Sequence, residues 1–370
     1  MKKAKKPKKP RQPFHKLRQN RLLRARSKVV EAIIENTDND EEIDLAKEFH
    51  TSSLLLGDYV TLDWPHYQSI NQIRSAISQY ADDRSRNRPL NIMMQAEPGS
   101  GKSHLVKSLA ASITRHGAVA INYNMASLQS IEDLLQPLDS VRNVKVQDKL
   151  PILFLDEFDS DPARYPLLLP LMWDGELSVG HRNLKLGKLV IILAGSSVSI
   201  GTAISTAKGM QASADTESGK LIDLVSRING GELEIPPLDL VETDRDRRAD
   251  KVCITISLLK ARFGENLELI PLSLLRFVAT SKFRYGVRSL AHFIELIQPF
   301  QRDEENTTKL SSNQLQFPLK DVKALRNSSL AYHLFSEDGA AAIVDHWESV
   351  SSDDAFVRIL EEKEDDDIPF

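Results

Sequence analysis

The sequence predicts an α/β fold in which a five-stranded parallel sheet lies between helices and an α-helical region follows. Three observations lead to this prediction. A strand, a glycine-rich turn and a helix succeed one another over residues 91–110. A fully apolar run at residues 150–155 ends in Asp156 and Glu157, as in a buried parallel strand with a ligand site at its end. From residue 240 to 300 the apolar residues follow helical spacing.

Composition narrows the class of protein. The 370 residues carry a net charge of −4, yet residues 1–28 hold 13 Lys and Arg and no acid, so the rest of the chain is strongly acidic. Cys253 is the single cysteine, which excludes an internal disulfide and a cysteine metal cluster. No apolar run reaches membrane-spanning length, and the basic start lacks the apolar segment of a secretory signal. We therefore expect a cytoplasmic (or nuclear) protein without membrane contact.

The N-terminal part falls into a basic tail and a helical region. Residues 1–13 are rich in Lys and Pro, which predicts disorder. They are either an arm that contacts nucleic acid or a solvated tail, and the sequence leaves both interpretations open. Residues 14–88 are predicted to be mainly helical. The predicted segments are a helix over 16–36, a second helix from Asp40 to Lys47, an extended stretch over Asp58–Trp64 and a helix beginning at Pro65.

The run Ala96–Ser103 (AEPGSGKS) follows the first apolar strand, Asn91–Gln95, and opens a helix. This order of elements is that of a phosphate-binding loop, in which backbone N–H groups point at phosphate oxygens and the helix N-terminus adds positive charge. Lys102 would reach the β- and γ-phosphates and Ser103 would ligate Mg²⁺. Ala96 stands where the pattern has its first glycine. The expected nucleotide-binding residues are Pro98, Gly99, Ser100, Gly101, Lys102, Ser103 and His104.

Three further strands are predicted beside this one before a fifth completes the sheet. They are Ala118–Tyr123, Leu150–Leu155 and Lys188–Ala194, and the fifth is Glu232–Ile235. Because parallel strands end at the same edge, the polar residues that follow them should lie near the phosphate loop. Asp156 is expected to hold Mg²⁺ through water, and Glu157 to polarise the attacking water.

The connections between these strands carry the remaining candidates. A helix with Leu128, Ile131, Leu134 and Leu135 follows the second strand. A helix over Ala163–Trp173 precedes a sharp turn at 174–180, and the next strand ends on Gly195, Ser196 and Ser197. Residues 198–220 are predicted to form a long loop, and Leu221–Ile228 a short helix that carries Arg227.

The C-terminal third is predicted to be helical and then polar. The expected helices are Asp244–Arg262, Leu272–Thr280 and Val287–Leu296, with Arg288 at the start of the third. Residues 302–314 are expected to form a linker or loop. Weak helical segments follow at 331–335 and 340–347, and residues 361–367, with six acids and one Lys, form an acidic tail.

Taken together, residues 60–300 resemble an AAA+ ATPase, a branch of the P-loop NTPases. Five ordered segments carry the resemblance: Ala96–Ser103 is similar to Walker A, Leu153–Glu157 to Walker B, Val190–Ser196 to the sensor 1 strand, Leu224–Asn229 to the arginine-finger segment and Gly286–Leu290 to sensor 2. The run Leu171–Ser196 resembles the hairpin and sensor segment of the Clp/RuvB/MoxR-like branch. Two departures stand out. Sensor 1 is often Asn but is Ser196 here, with Ser197 as the alternative, and Tyr123–Ala126 lacks the aromatic-apolar-Gly triplet of unfoldases.

The resemblance implies a domain organisation and a set of roles. It implies a nucleotide-binding α/β domain (89–237) and a helical lid (238–300), to which composition and periodicity add a disordered basic tail (1–13), a helical N-terminal region (14–88) and a C-terminal extension (301–370). ATP and Mg²⁺ would bind between subunits of a homo-oligomeric ring, commonly a hexamer. Arg227 would act in the neighbour's site, whereas Arg288 and Ser196 would sense the γ-phosphate in their own.

The implied function is an ATPase that remodels or moves a macromolecule. The basic arm and the missing triplet favour nucleic acid as the substrate, whereas the hairpin and the acidic body favour a protein. A different class stays open as well: a nucleotide-gated oligomeric scaffold that recruits an effector protein or partner enzyme, for example in defence or loading.

Overall fold

The computed structural model describes part of the 370-residue chain. Described are 59–115, 117–179, 181–196, 217–242, 246–264, 267–297 and 340–350, the short pieces 43–44, 54–56, 301–302, 308–309, 334–336 and 356–358, and residues 19, 24, 26, 27, 30, 33 and 201. The predictions for the two tails, 1–13 and 361–367, and for nearly all of the loop over 198–216 lie outside these residues.

The described strands and helices build two parts of the molecule. One is the central sheet with the helices that cover it. The other, called here the C-terminal body, consists mainly of residues 246–264, 267–297 and 340–350. The strands are β1 (Ile43–Asp44), β2 (Leu54–Leu56), β3 (Tyr59–Thr61), β4 (Leu90–Ala96), β5 (Ala118–Asn124), β6 (Leu150–Asp156), β7 (Glu176–Val179), β8 (Arg182–Lys185), β9 (Val190–Gly195), β10 (Glu232–Ile235), β11 (Leu267–Pro271), β12 (Gln301–Arg302), β13 (Thr308–Lys309) and β14 (Phe356–Arg358). The helices are α1 (Trp64–Asp82), α2 (Lys102–Ala111), α3 (Leu135–Val146), α4 (Tyr165–Asp174), α5 (Glu217–Ser226), α6 (Arg248–Phe263), α7 (Leu272–Thr280), α8 (Gly286–Leu296) and α9 (Ala340–Val350).

The central sheet has the strand order β10-β4-β9-β6-β5, and every neighbouring pair is parallel. The predicted five-stranded parallel sheet is therefore confirmed. Its inner strands are apolar on both faces because helices cover both. Along β4, Ile92 and Met94 enter one core and Met93 enters the other. This alternation follows from the two-residue period of a strand.

Helices from different parts of the chain cover the two faces. On one face α1 contributes Ile70, Ile73 and Ile77, and α2 contributes Leu105 and Leu109. Helices α3, α4 and α5 pack on the other face, through Leu138, Leu171 and Leu224 among others. Helix α1 therefore packs in the same core as the sheet, although it precedes the domain boundary predicted at residue 89.

The predicted turn after α4 opens a hairpin. Gly175, with φ of 67°, ends the helix, and β7 then pairs with β8 in antiparallel register. Helix α5 begins at Glu217, four residues before the predicted start at Leu221, and ends at Ser226 rather than Ile228.

The C-terminal body corrects the prediction of a purely helical lid. Helices α6, α7 and α8 lie close to the predicted ranges, but β11 separates α6 from α7. This strand belongs to a second sheet of order β1-β14-β11-β13-β12. The sheet joins segments more than 300 residues apart, since β1 pairs with β14. Such strands of two to five residues escape periodicity arguments because their pairing partners are distant in the sequence.

Two other predictions are corrected by the same sheet. The helix predicted from Asp40 to Lys47 contains the strand β1, and the linker predicted over 302–314 contains β13. Conversely, the extended stretch predicted at 58–64 contains β3, and the helix predicted at 340–347 is α9. The residues described at 19, 24, 26, 27 and 30 are helical, as predicted for 16–36.

A buried ion pair ties the N-terminal strand β3 to the C-terminal body. Asp250, in the first turn of α6, is fully buried, and its Oδ2 accepts a hydrogen bond from Arg247 Nε at 2.9 Å. Asp250 Oδ1 accepts the backbone N–H of Leu62 at 2.6 Å, and Oδ2 also accepts the hydroxyl of Thr61 at 3.2 Å. The other side of Arg247 donates to the carbonyl of Pro236, just after β10. One carboxylate and one guanidinium thus join three segments.

Tyr59 lies beside this pair. Burial raises the pKa of its phenol to about 12. The hydroxyl therefore stays protonated at neutral pH, and it lies 2.8 Å from His66 Nε2 at the start of α1. Leu62 and Ile33 enter the core of the C-terminal body, and Arg276 Nε on α7 donates to the carbonyl of Ile33 at 2.9 Å.

We expect Asp250→Ala to destabilise the protein by about 3–5 kcal/mol, because it leaves a buried guanidinium without its counter-charge. The exposed pair Arg115–Asp82, 3.1 Å apart, provides the control, and Asp82→Ala should cost less than about 1 kcal/mol. Urea unfolding measures both. The double variant Arg247→Met/Asp250→Leu should recover much of the loss. If Asp250→Ala and Asp82→Ala had equal free energies of unfolding, the stabilising role of the buried Arg247–Asp250 pair would be contradicted.

Among the described residues, none of the helices has the length and apolar character needed to cross a bilayer.

Candidate functional site

The glycine-rich turn lies at the carboxyl edge of the central sheet. Strand β4 ends at Ala96, and α2 begins at Lys102, so the turn places the first helical N–H groups at the edge. Gly99 and Gly101 have φ of 80° and 89°, a left-handed backbone that suits glycine because it has no Cβ. The predicted strand–turn–helix context is present. The turn therefore has the backbone shape that an anion-binding loop requires.

Lys102 and Asp156 meet at this edge from two different strands. Lys102 is 8% exposed, and its Nζ lies 3.3 Å from Asp156 Oδ1 at the end of β6. Strand β9 lies between β4 and β6, so the pair bridges across one strand. Ser103 follows Lys102 in the first turn of α2 and is half-buried. The cation, the hydroxyl and the carboxylate predicted for the site are thus gathered at one edge.

Glu157 follows Asp156 in a strained backbone conformation. Its φ of 55° and ψ of 38° are left-handed, which costs a residue with a Cβ roughly 1–2 kcal/mol. Its N–H donates to Asp156 Oδ1 at 3.0 Å, and its side chain is exposed. Backbone strain of this kind persists only where the surrounding structure holds it, and it is most frequent at functional sites. Glu157 is therefore placed at the open edge, next to the Lys102–Asp156 pair.

The end of β9 is fixed by a residue that the sequence analysis missed. The N–H of Ser196 donates to Asp159 Oδ2 at 3.0 Å. A Cβ on Gly195 would lie 2.5 Å from the Asp159 carboxyl carbon, so the strand end and the carboxylate are in close contact. Asp159 lies two residues beyond Glu157 in the run DEFD, a third acid at the same strand end that could have drawn attention. It positions Ser196, whose side chain is exposed.

The start of α8 touches the glycine-rich turn directly. The N–H of Arg288 lies 3.3 Å from the carbonyl oxygen of Gly99. A Cβ added to Gly99 would lie 2.1 Å from the carbonyl oxygen of Tyr285, and Gly286 has φ of 52°. The turn and the helix therefore pack backbone to backbone, which only glycine at position 99 permits. The exposed Arg288 side chain begins beside the turn.

Arg227 lies at the opposite edge of the sheet from these residues. Its carbonyl accepts a hydrogen bond from Asn91 Nδ2 at 2.9 Å, at the start of β4. Because β4 has seven residues at ~3.3 Å each, its two ends are roughly 20 Å apart. The Arg227 Nη1 donates to the carbonyl of Asp223 at 2.7 Å and pairs with the Asp223 carboxylate. The structure does not bring Arg227 to the glycine-rich turn of its own chain.

The other predicted nucleotide-binding residues surround the turn with differing exposure. Pro98 is exposed, and so is His104, whose ring centroid lies 6.1 Å from that of Tyr59. The hydroxyl oxygen of Ser100 is buried and has no hydrogen-bond partner in the described part of the chain. Leaving a buried hydroxyl without a hydrogen bond destabilises the folded protein. A bound ligand with a polar atom at the turn would supply the missing hydrogen bond.

These residues fit a nucleoside triphosphate with Mg²⁺. The turn offers backbone N–H groups, an orphaned hydroxyl and a buried ammonium, which suit phosphate oxygens. Ser103 and Asp156 offer the oxygen ligands that Mg²⁺ takes together with phosphates. The chemistry that this edge can support is phosphoryl transfer with an exposed carboxylate beside it.

The chain was compared with protein families, with curated proteins and with solved structures, and only solved structures show similarity. No protein-family profile matches the chain, and no curated protein matches it. NtrX from Brucella abortus in complex with ATP overlaps with a TM-score of 0.41 at 18% identity, over 62% of this chain and 48% of that chain. In its ADP complex NtrX gives a TM-score of 0.41 at 18% identity, over 65% and 52%. Hsp104 with ATPγS and FITC casein gives 0.40 at 15% identity, over 64% and 47%. The chain spans about half the length of these structures, and overlap at this level assigns neither a family nor an activity.

The two glycines of the turn provide a matched pair of variants. Both have positive φ, but a Cβ on Gly101 meets nothing within 4 Å, whereas one on Gly99 collides with Tyr285. In the nucleotide-free protein we expect Gly101→Ala to cost about 1–2 kcal/mol of stability, the backbone strain alone. Gly99→Ala should cost more, and it should expose α8 to proteolysis. Denaturant unfolding and limited proteolysis measure these effects. Equal losses would show that α8 does not dock on the turn.

Proposed function

We propose that this chain is an ATP hydrolase of the AAA+ type that works as a homo-oligomeric ring on a macromolecular substrate. The observation that carries the proposal is the Lys102–Asp156 pair, 3.3 Å apart beneath a turn with glycines at 99 and 101. In a site for phosphoryl transfer these two groups hold phosphate and metal. Glu157 and the docked start of α8 add the groups needed for turnover and for coupling to motion.

ATP binding is assigned to the turn and to the start of α2. The backbone N–H groups near Gly99 and Gly101 and the ammonium of Lys102 neutralise the phosphate oxygens. Ser103 and Asp156 hold Mg²⁺, which when bound offsets the charge that develops on the phosphates. The pairing of Asp156 with Lys102 supports this assignment, because it brings the proposed metal ligand and the proposed phosphate ligand together at one edge of the sheet. His104 and Pro98 border this site.

Hydrolysis is assigned to Glu157. Its carboxylate accepts a proton from the attacking water while the water oxygen bonds to the γ-phosphorus. The bond between that phosphorus and the β–γ bridging oxygen breaks, and ADP leaves with the bridging oxygen. The exposed position of Glu157 at the sheet edge leaves room for this water. Ser196, held by Asp159, stands at the neighbouring strand end and orients the γ-phosphate or the water.

Arg227 is assigned to the site of a neighbouring subunit. Its own turn lies roughly 20 Å away along β4, more than an arginine side chain can span. A guanidinium that stabilises the transferring phosphoryl group from another chain can raise turnover by about 10³–10⁵-fold. This placement makes each site depend on two subunits, which is the reason for proposing a ring, with six subunits as the expected number.

The lid is assigned the role of converting hydrolysis into motion. The start of α8 is bonded to Gly99, so a change at the phosphates reaches the C-terminal body through one backbone contact. Arg288, at this contact, senses the γ-phosphate of its own subunit. The macromolecule that such motion would act on is a nucleic acid or a protein. The basic residues 1–13 are the proposed contact for nucleic acid.

Three single variants test the assignments. Lys102→Ala should abolish ATP binding, Glu157→Gln should bind ATP without turnover, and Arg227→Ala should bind ATP normally and lose turnover by at least about 10³-fold. Steady-state hydrolysis and the affinity for a fluorescent ATP analogue separate these effects. Mixing inactive Arg227→Ala and Glu157→Gln subunits should restore part of the activity, since some sites then combine two intact halves. Full turnover by Glu157→Gln would refute the assignment of the site.

The substrate class is tested by ATPase stimulation at constant salt. We expect one of three polymers, namely DNA, RNA or an unfolded protein, to raise the rate several-fold. If nucleic acid stimulates, removal of residues 1–13 should weaken its binding and flatten the salt dependence, because fewer counterions are released. A slow rate indifferent to all three polymers would contradict the motor and favour the nucleotide-gated scaffold.

A further inference from the structure

Trp173 is half-exposed at the amino edge of the sheet, although most large apolar side chains in the described residues are buried. Its side chain is 48% exposed. The guanidinium carbon of Arg88 lies 4.3 Å from the ring centroid, and that of Arg227 lies 6.0 Å from it. Both distances allow attraction between a cation and the face of the ring. Arg88 therefore lies closest to the ring, and Arg227 lies at the outer limit of a cation–π contact with it.

A buried amide fixes the segments that carry the two side chains. Asn91 is fully buried at the start of β4, and its Nδ2 donates to the carbonyls of Met172 at 2.8 Å and Arg227 at 2.9 Å. Its backbone N–H donates to Asn229 Oδ1 at 2.8 Å. The residue before Trp173 and Arg227 itself are therefore held by one side chain. Their relative position does not depend on the longer loops around them.

Contacts on two sides restrict the Arg227 guanidinium. Asp223, one helical turn earlier, accepts from Nη1 with both its carbonyl and its carboxylate. The Nε of Arg227 is buried and has no hydrogen-bond partner in the described ranges. An arginine side chain carries substantial rotamer entropy, so a guanidinium that must act at a distant phosphate benefits from being held beforehand. The ring of Trp173 and the carboxylate of Asp223 provide this restriction.

We propose that Trp173 is a positioning residue for Arg227, through the face of its indole ring. The proposal rests on the proposed function, in which Arg227 acts in the site of a neighbouring copy. Trp173 contributes nothing to the nucleotide site of its own subunit, which lies at the other edge of the sheet. Its loss therefore impairs the neighbour's turnover and leaves the subunit's own ATP affinity unchanged.

The test compares Trp173→Ala and Trp173→Phe with the control Val146→Ala. Val146 ends α3 before β6 and, like Trp173, is an exposed apolar side chain, with 87% of its surface exposed. We expect Trp173→Ala to lower kcat roughly tenfold to a hundredfold, as for a misplaced catalytic group, with unchanged affinity for a fluorescent ATP analogue. Trp173→Phe keeps an aromatic face and should stay within about threefold of the unaltered protein. Val146→Ala should have the unaltered rate.

Subunit mixing provides the decisive readout. Trp173→Ala subunits mixed with Glu157→Gln subunits should regain activity, because the intact Arg227 and Trp173 of the latter serve the intact sites of the former. Trp173→Ala mixed with Arg227→Ala should regain none, since both variants lack the same function. A loss of activity that Glu157→Gln subunits do not restore would mean that Trp173 acts on its own site or on folding, and would overturn the inference.

The remaining outcomes separate the inference from the function on which it rests. Normal turnover of Trp173→Ala, with Arg227→Ala inactive, overturns the role of Trp173 and leaves the shared site standing. Normal turnover of Arg227→Ala overturns the shared site and the role of Trp173 together. A Phe variant as impaired as the Ala variant overturns the claim that the aromatic face is what positions Arg227.

Discussion

Strand β4 is the constraint on which the rest of the site depends. It lies between β10 and β9 inside a parallel sheet and is buried on both faces, so it cannot tilt or slide independently. Its carboxyl end continues into the glycine-rich turn, and its amino end carries Asn91, which holds Arg227. The proposed phosphate site thus lies at the carboxyl edge of the sheet, and Arg227, which is proposed to act on the phosphate, lies at the amino edge. A site that needs both groups needs two copies of the chain.

The second constraint is the way in which the C-terminal body meets the sheet. The C-terminal body contacts the glycine-rich turn where α8 packs on Gly99. It is also joined to β3 and to the segment after β10 by the ion pair Arg247–Asp250 at the start of α6. The first contact includes a backbone hydrogen bond and, among the described residues, no ion pair, so it can open without leaving a buried charge. The second would leave a charge unpaired if it opened. We therefore expect the pair to act as the fixed point and the contact at Gly99 as the movable one when nucleotide changes.

Much of the sheet could be predicted because buried parallel strands are continuous apolar runs with polar residues at one end. The strands β4, β6 and β9 are predicted in this way, together with Asp156 and Glu157, whereas β10 alternates charged and apolar residues and is predicted from its place before Pro236 and Pro237. The second sheet could not be predicted, because β11 has five residues and its partners β13 and β14 come from distant segments. Asp159 was missed because its role is to bond the N–H of Ser196, a contact that exists only after β6 and β9 have paired.

The local chemistry follows from the order of the residues alone: a glycine-rich turn between a strand and a helix, a lysine and a serine at the helix start, and two carboxylates after an apolar strand. These features are set within a few residues, where backbone geometry and side-chain type suffice. Folding is what brings Lys102 and Asp156 to 3.3 Å from each other, packs Gly99 against Tyr285 and places Arg227 near Trp173 at the far edge. Those contacts join residues separated by 54 to 186 positions in the chain, and packing, not local propensity, brings them together.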